Sequence, residues 1–304
     1  MGGSALTVNW TVREILKWTR GYFKGADIPQ PRLEAEILLA HVMNVDRLHL
    51  YISPDTPLTP DERGRFREII KKRRSGVPRQ YLTGEVQFYG LRFRVRDDVF
   101  IPRPETEELL ERALGLVERD RDLACLDLGT GSGVIAVSLA KYLPRMKVTA
   151  VDLSTEAVKL AQENAELNDV VDRVDVVRSN WFENIAGKFD LIVSNPPYIP
   201  EEEMDDLPDE VREHEPHRAL NGGKGGMEEI AKLARGLKEH MHTGATALFE
   251  IGDGQGTMVG EEMKGAGLAD IRVEHDLAST RQFHKPLLLH EVNFQNLAPS
   301  AKMG

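Results

Sequence analysis

Apolar positions in the first 80 residues recur at helical spacing. Trp10, Val12, Ile15, Leu16, Trp18, Tyr22 and Phe23 form one stripe, weakened at its end by Gly21 and Gly25. A second helix is predicted from Pro31, a suitable first-turn residue, through Leu33, Ile37, Leu38, His41 and Val42. Ser53 to Pro57 reads as a loop. Thr59-Pro60-Asp61-Glu62 then opens a third helix with a capping residue, a first-turn proline and early acids. That helix ends in Lys71 to Arg74 before Gly76, placing cations at the negative end of the dipole. This front region reads as a small helical domain with few core residues.

From Gln87 the period changes. Phe88, Leu91, Phe93 and Val95 suggest a hairpin turning at Tyr89-Gly90. A Pro-stiffened loop from Phe100 to Glu107 launches a helix from about Glu105 to Arg119. Strands are then expected at 123–128, 147–152, 173–178, 189–194, 245–251, 270–275 and 285–293. Helices are expected at 133–143, 155–168, 226–242 and 255–266. Such alternation predicts an α/β fold, a doubly wound and mainly parallel sheet with helices on both faces. The predicted domains are 1–84 (helical, a candidate substrate-docking domain), 85–104 (a β-hairpin linker), 105–294 (the sheet domain) and 295–304 (a disordered tail).

Composition narrows the class. A hydrophobic fraction of 41% with 29% charged residues is that of a soluble globular chain. No stretch approaches the roughly 18 apolar residues of a membrane span, and neither a signal peptide nor an anchor is expected. Cys125 is the only cysteine, which excludes an intrachain disulfide and a thiolate metal cluster and fits a cytoplasmic setting. Its apolar neighbours make it a buried strand filler. Residues 1–96 carry 17 Lys and Arg against 10 Asp and Glu, a net of +7, which leaves −17 on the remainder of the −10 chain. So acidic a second part is a poor surface for duplex nucleic acid, and no stable nucleic-acid complex is expected. The basic front suits an acidic protein partner or RNA, or is simply a solvated face.

The first strand of the alternating region runs into Gly129-Thr130-Gly131-Ser132-Gly133 and then a helix. Glycines there permit a sharp turn and close approach of a ligand. Asp152 ends the second strand, 23 positions beyond Gly129, where a carboxylate can take both ribose hydroxyls. Ser154 already serves as the following helix's cap. A dehydrogenase fingerprint wants a third glycine at 134, which is Val134. Asp127, two residues before the first glycine, instead matches the acidic-x-G-x-G-x-G form of S-adenosyl-L-methionine-dependent methyltransferases, where it could hold the methionine amino group directly or through water. Trp181, just past the third strand, is placed to lie against the adenine ring.

The most specific stretch is Asp190-Leu-Ile-Val-Ser-Asn-Pro-Pro-Tyr-Ile-Pro200. Asn195-Pro196-Pro197-Tyr198 follows a strand, at the edge where open α/β sheets bind ligands. Two prolines fix φ and remove two N–H donors, so nearby carbonyls can face a substrate. Asn195 Oδ1 and the Pro196 carbonyl could each accept one N–H of a planar NH2. They would thereby aim its lone pair at a methyl donor and stabilise charge growing on nitrogen. Tyr198 can pack against the flat substrate group.

These motifs resemble amino-group methyltransferases broadly, including adenine-N6 enzymes. Further stretches resemble the HemK/PrmC family, the release factor glutamine methyltransferases. They are Ala35–His41, Pro78–Glu85, Phe88–Gly90, Phe100–Glu107, Glu215-Pro216 with Ala219-Leu220, and Asp276–Ala278. The resemblance spans roughly residues 30–280. It implies a class I, Rossmann-like methyltransferase sheet behind a small N-terminal helical domain. It also implies methylation of the side-chain nitrogen (N5) of the glutamine in the Gly-Gly-Gln motif of peptide chain release factors. Gly129 to Gly133, Asp152, Trp181 and Asn195 are then cofactor residues, and Asn195 to Tyr198, with Phe100, substrate residues. The sequence departs from the family pattern at Ser279–Pro286, over 291–304, and at Asn180, where an acid is usual. Asn180 could still accept from an adenine amino group.

Two other readings stay open: an adenine-N6 methyltransferase acting on RNA or DNA, and a non-catalytic cofactor-binding partner protein. His214 with His217, and His240 with His242, lack metal-ligand spacing, so no metal site is expected. Gly222-Gly223-Lys224-Gly225-Gly226 lacks P-loop spacing and reads as a flexible hinge.

Overall fold

The computed structural model describes residues 10–275 and 290–295. The chain forms two compact units. One runs to Gly84 and takes in Asp209–His214; the other comprises Glu85–Pro208 and the chain from Glu215 onward.

The first unit is helical: α1 (Val12–Lys24), α2 (Pro31–Met43), α3 (His49–Ile52), α4 (Pro60–Arg74) and α5 (Arg79–Thr83). Thr11 and Thr59 each form a capping box, with Glu14 and Glu62 respectively, an arrangement in which the cap alone stabilises a helix by about 1 kcal/mol. Val12, Phe23, Leu38, Leu39, Phe66 and Ile70 pack into one core. Beside it lies a buried charge cluster: Glu34 accepts from Arg73 at 2.7 Å and pairs with Arg79 at 3.0 Å, and Arg73 also reaches Glu210 at 3.0 Å. The short helices α3 and α5 are not anticipated by periodicity, because one turn carries too few apolar positions to register a period.

The second unit opens with a hairpin, β1 (Glu85–Phe88) and β2 (Leu91–Arg94), turning at Tyr89 (φ 46°) and Gly90 (φ 75°). Phe88 and Phe93 are buried in the main core of this unit with Leu109, Leu110 and Cys125. Each contributes about 1.5–3 kcal/mol by leaving water. There follow α6 (Thr106–Leu116), β3 (Leu123–Leu128), α7 (Val134–Tyr142), β4 (Met146–Asp152), α8 (Thr155–Leu167), β5 (Val174–Arg178) and β6 (Phe189–Ser194). Asn164 of α8 ties the hairpin down, accepting from Arg94 N at 2.7 Å and donating to Arg94 O at 3.0 Å. After β6 come three single-turn segments, Glu201–Asp206, His217–Ala219 and Lys224–Gly226; α9 (Asp209–His214), between the first two, belongs to the first unit. The chain ends in α10 (Glu228–His240), β7 (Met241–Ile251), α11 (Gly256–Gly265), β8 (Ala269–His275) and β9 (His290–Gln295).

Seven strands form one sheet in the order β5-β4-β3-β6-β7-β9-β8. Pairs from β5 to β7 are parallel, and β9 runs antiparallel between β7 and β8. This is the doubly wound, class I methyltransferase-type sheet. The central strands are near-continuous apolar runs because both of their faces are covered. Cys125 is fully buried in β3, and burial pushes its thiol well above the usual range.

Strand β7 begins at Met241 rather than at 245, directly out of α10. Phe189 pairs with Met241, then the register shifts so that Leu191 pairs with Thr246. The polar run His242–Gly244 is thereby thrown out of the ladder, which is what obscured the start of the strand in the sequence. Strand β9 covers His290–Gln295, so Gln295, expected to open a tail, is its last residue. The expected tail from 296, the Ser279–Pro286 departure and the Asp276–Ala278 stretch lie outside the described residues. Among the described residues no helix is long and apolar enough to cross a membrane.

Candidate active site

Strand β3 is flanked on one side by β4 and on the other by β6, so the order of the sheet reverses there. Ligands of doubly wound sheets bind at such a reversal, beyond the carboxyl ends of the strands. Three predicted motifs end β3, β4 and β6 at that edge.

Beyond β3 the loop Gly129–Gly133 doubles back, with positive φ at Gly129 (73°), Gly131 (56°) and Gly133 (82°). Gly129 N and Thr130 N both donate to Val151 O, at 2.9 and 2.8 Å. A Cβ on Gly129 would lie 3.3 Å from the Trp181 ring, so a side chain there would press the indole back by a few tenths of an ångström. Thr130 and Ser132 have buried side chains, and the loop presents main chain. Asp127 lies beneath it, fully buried. Its Oδ2 accepts from Thr130 Oγ1 at 2.6 Å and from Ala136 N at 3.2 Å, while its Oδ1 has no partner. Burial raises its pKa to about 7, against the lowering effect of those two hydrogen bonds.

At the end of β4, Asp152 accepts from Gly131 N at 2.9 Å through Oδ2 and from Ser154 N at 2.8 Å through Oδ1. It thus fixes the Gly loop against its own strand and keeps further lone pairs on both oxygens. Burial raises its pKa, opposed by those backbone bonds and by Arg218. Ser154 caps α8, accepting from Ala157 N, and itself accepts from Arg218. Trp181 has a left-handed backbone (φ 49°), and its Nε1 donates to Glu229 of α10 at 2.8 Å. That anchor was not foreseen. Asn180 donates through Nδ2 to Glu183, which turns its amide oxygen away from that partner.

At the end of β6, Ser194 donates to Leu128 O at 2.7 Å and draws the β6 end towards the β3 end. The half-buried Asn195 donates through Nδ2 to Thr106 Oγ1 at 3.1 Å. Thr106 donates to Glu250 Oε2 at 2.8 Å, and the Tyr198 hydroxyl approaches Glu250 Oε1 at 3.4 Å. Glu250 is 1% exposed, and burial raises its pKa to about 8, with Glu105 adding to the rise. Sequence reasoning missed both Thr106 and Glu250. A lone carboxyl within the apolar run Ala245–Ile251 was the available signal.

The loop from Asn195 to Tyr198 is held from behind. Gln255, buried at the start of α11, donates to Tyr198 O at 2.8 Å and accepts from Gly252 N at 2.8 Å. Ile199 N donates to Leu220 O, and Gly222 N to Ile199 O. The glycine run expected to be a flexible hinge is instead a packed backstop. A Cβ on Gly226 (φ 70°) would sit 2.1 Å from Tyr198 O, so no side chain fits there. Buried Glu215 accepts from Arg103, whose guanidinium lies 4.9 Å from the Phe100 ring centre. Phe100 is thus braced at the start of its loop. His240, set aside as a metal ligand, stacks on Phe182 and faces the Gly236 and Ile185 carbonyls.

Comparison with known proteins shows the family. The chain matches the PrmC N-terminal domain over residues 14–84 and the methyltransferase small domain over residues 108–223. A release factor glutamine methyltransferase of Koribacter versatilis is 45% identical over 80% of this chain and 86% of its own length. One from Geobacter sulfurreducens is 40% identical over 88% and 93%. A methyltransferase structure from Pyrococcus furiosus superposes with a TM-score of 0.52 at 21% identity, over 69% of this chain and 91% of that one, and shares the fold. With a catalytic-type sheet, a glycine loop and an Asn-Pro-Pro-Tyr loop converging at one sheet edge, the chain belongs to the release factor glutamine methyltransferase family.

Proposed function

We propose that this protein transfers a methyl group from S-adenosyl-L-methionine to the N5 side-chain nitrogen of the glutamine in the Gly-Gly-Gln motif of peptide chain release factors, in the cytoplasm. The observation that carries the reading is the orientation of Asn195. Its Nδ2 is engaged by Thr106, which leaves Oδ1 as an acceptor at the carboxyl end of β6.

A carboxamide nitrogen is a poor nucleophile because its lone pair is delocalised into the carbonyl. It offers two N–H groups, and Asn195 Oδ1 with the Pro196 carbonyl supplies two acceptors; a hydroxyl or thiol substrate would fill only one. Pro196 and Pro197 bring no N–H of their own to compete. Holding both N–H groups orients the nitrogen and stabilises the positive charge that develops on it. Tyr198 and Phe100 supply apolar faces for the flat amide.

S-Adenosyl-L-methionine supplies a methyl group on a sulfonium, activated for transfer. The residues present fit it. The unpartnered, buried Asp127 Oδ1 beneath the loop would complement the amino group, directly or through water. Gly129 to Gly133 offer the main chain to the methionine portion. Asp152 keeps lone pairs for the ribose hydroxyls, and the anchored Trp181 offers a face to adenine. The basic front unit serves as the docking surface for the folded partner.

Incubation with methyl-labelled cofactor and purified release factor, followed by mass mapping, tests the proposal. One methyl group on the glutamine of the Gly-Gly-Gln motif is expected, with none on a release factor in which that glutamine is replaced. Label on nucleic acid, or on another residue alone, overturns it.

A further inference from the structure

A side-chain amide has two ends of nearly equal size and opposite function. If Asn195 turned its NH2 towards the site, it would meet the substrate NH2 donor to donor. Something must select the end that faces out, and neither proline does so. In the second unit the selecting contacts are Thr106 Oγ1, 3.1 Å from Asn195 Nδ2, and Glu250, which also accepts from the Asn195 side chain. A hydroxyl alone could not choose, since it both donates and accepts. Its choice is made one step further in, where its proton goes to Glu250 Oε2 at 2.8 Å, the oxygen that accepts while the carboxyl's own proton lies on Oε1. With the hydroxyl proton spent there, Oγ1 faces Asn195 as an acceptor.

We propose that Thr106 and Glu250 are positioning residues which, through the directed chain Asn195 Nδ2 to Thr106 Oγ1 to Glu250 Oε2, fix the Asn195 amide with Oδ1 facing the substrate. The inference rests on the reading of Asn195 as acceptor for the glutamine amide. Tyr198 belongs to the same device, since its hydroxyl meets the other oxygen of Glu250 at 3.4 Å. One buried carboxyl group therefore holds both ends of the Asn195–Tyr198 loop. Neither positioning residue is among the groups assigned to substrate or cofactor, and Thr106 and Glu250 lie 144 positions apart in the chain.

Two pairs of variants test the chain, each differing by the one atom or group in question. Thr106→Ser keeps the hydroxyl and Thr106→Ala removes it. Glu250→Gln keeps an acceptor for Thr106, and Glu250→Met keeps the length without one. With purified release factor as substrate, kcat of Thr106→Ala is expected to fall about tenfold or more below that of Thr106→Ser, the cost of one buried hydrogen bond left unmade. Glu250→Met should fall in the same way below Glu250→Gln. Cofactor affinity by calorimetry should agree within about twofold in each pair, which a general loss of structure would not allow. Equal kcat within the pairs overturns the inference. Should Thr106→Ala lose its thermal unfolding transition, the Glu250 pair decides alone. If the wild-type protein labels the glutamine and the pairs tie, positioning has failed and the proposed function stands. If the wild-type protein leaves the glutamine unlabelled, both fall.

Discussion

The sharpest consequence of the buried carboxyl cluster is a dependence of stability on pH. Glu250 has an ordinary carboxyl value of 4.5 outside the fold and about 8 within it, chiefly because burial penalises the charged form. Between those values the folded state holds a proton that the unfolded state has released. Stability therefore falls as pH rises through this window, and levels off above about pH 8. Each unit of separation corresponds to about 1.4 kcal/mol. From pH 5 to pH 8 the wild-type protein should lose on the order of 3 kcal/mol through this one group. Glu250→Gln is an isostere of the protonated form and has no such term. Urea unfolding of both proteins at pH 5, 6, 7 and 8 measures the difference directly. Asp127, whose value is also raised, to about 7, is common to both and cancels. The variant should gain on the wild type steadily as pH rises, until it is the more stable protein at pH 8. A difference that stays constant with pH would refute the account of Glu250 as a carboxyl held neutral by burial.

Asn195→Ala should lower single-turnover methyl transfer by about 100-fold or more, the loss of one positioned acceptor being about 2.7–4 kcal/mol, while leaving much of the cofactor affinity; a residual rate above about a tenth of wild type would remove its catalytic role. Asp152→Ala should weaken cofactor binding in calorimetry by about 1.5–3 kcal/mol for each charge-assisted bond lost, far more than it slows the bound complex, and an unchanged affinity would exclude it from the site. Gly226→Ala forces a methyl into the Tyr198 carbonyl and Gln255 in a left-handed backbone, so melting should show a loss of about 1–3 kcal/mol or more. Raising salt from about 50 to about 300 mM should lower kcat/KM on folded release factor more than on a short Gly-Gly-Gln peptide, and equal effects would argue against electrostatic docking by the basic front unit.

What the sequence determined by itself was whatever is encoded over short spans. The helical period of α1, α2 and α4, the Thr59 cap of α4 and the first-turn Pro31 of α2 could be read directly, as could the apolar runs of β3, β4 and β6. The glycine loop, Asp152 and the Asn-Pro-Pro-Tyr loop were legible because each places its chemistry within a few residues of a strand end. Once those strands are known to be parallel neighbours, their carboxyl ends must meet. The partners that hold these groups were not legible. Thr106 reaches Glu250 across 144 positions, Asn195 reaches Thr106 across 89, and Trp181 reaches Glu229 across 48. The Gly222–Gly226 run shows the same limit from the other side. Its composition suggests freedom, yet Gly222 and Gly226 are hemmed in by the Pro197–Tyr198 chain packed against them, and at Gly226 Tyr198 O leaves no room for a Cβ. Local pattern specifies which segments are regular and which side chains carry chemistry. Which atoms of the Asn195 amide are engaged from behind is decided by contacts that exist only once the sheet has formed, because hydrogen-bond direction depends on a partner that sequence distance conceals.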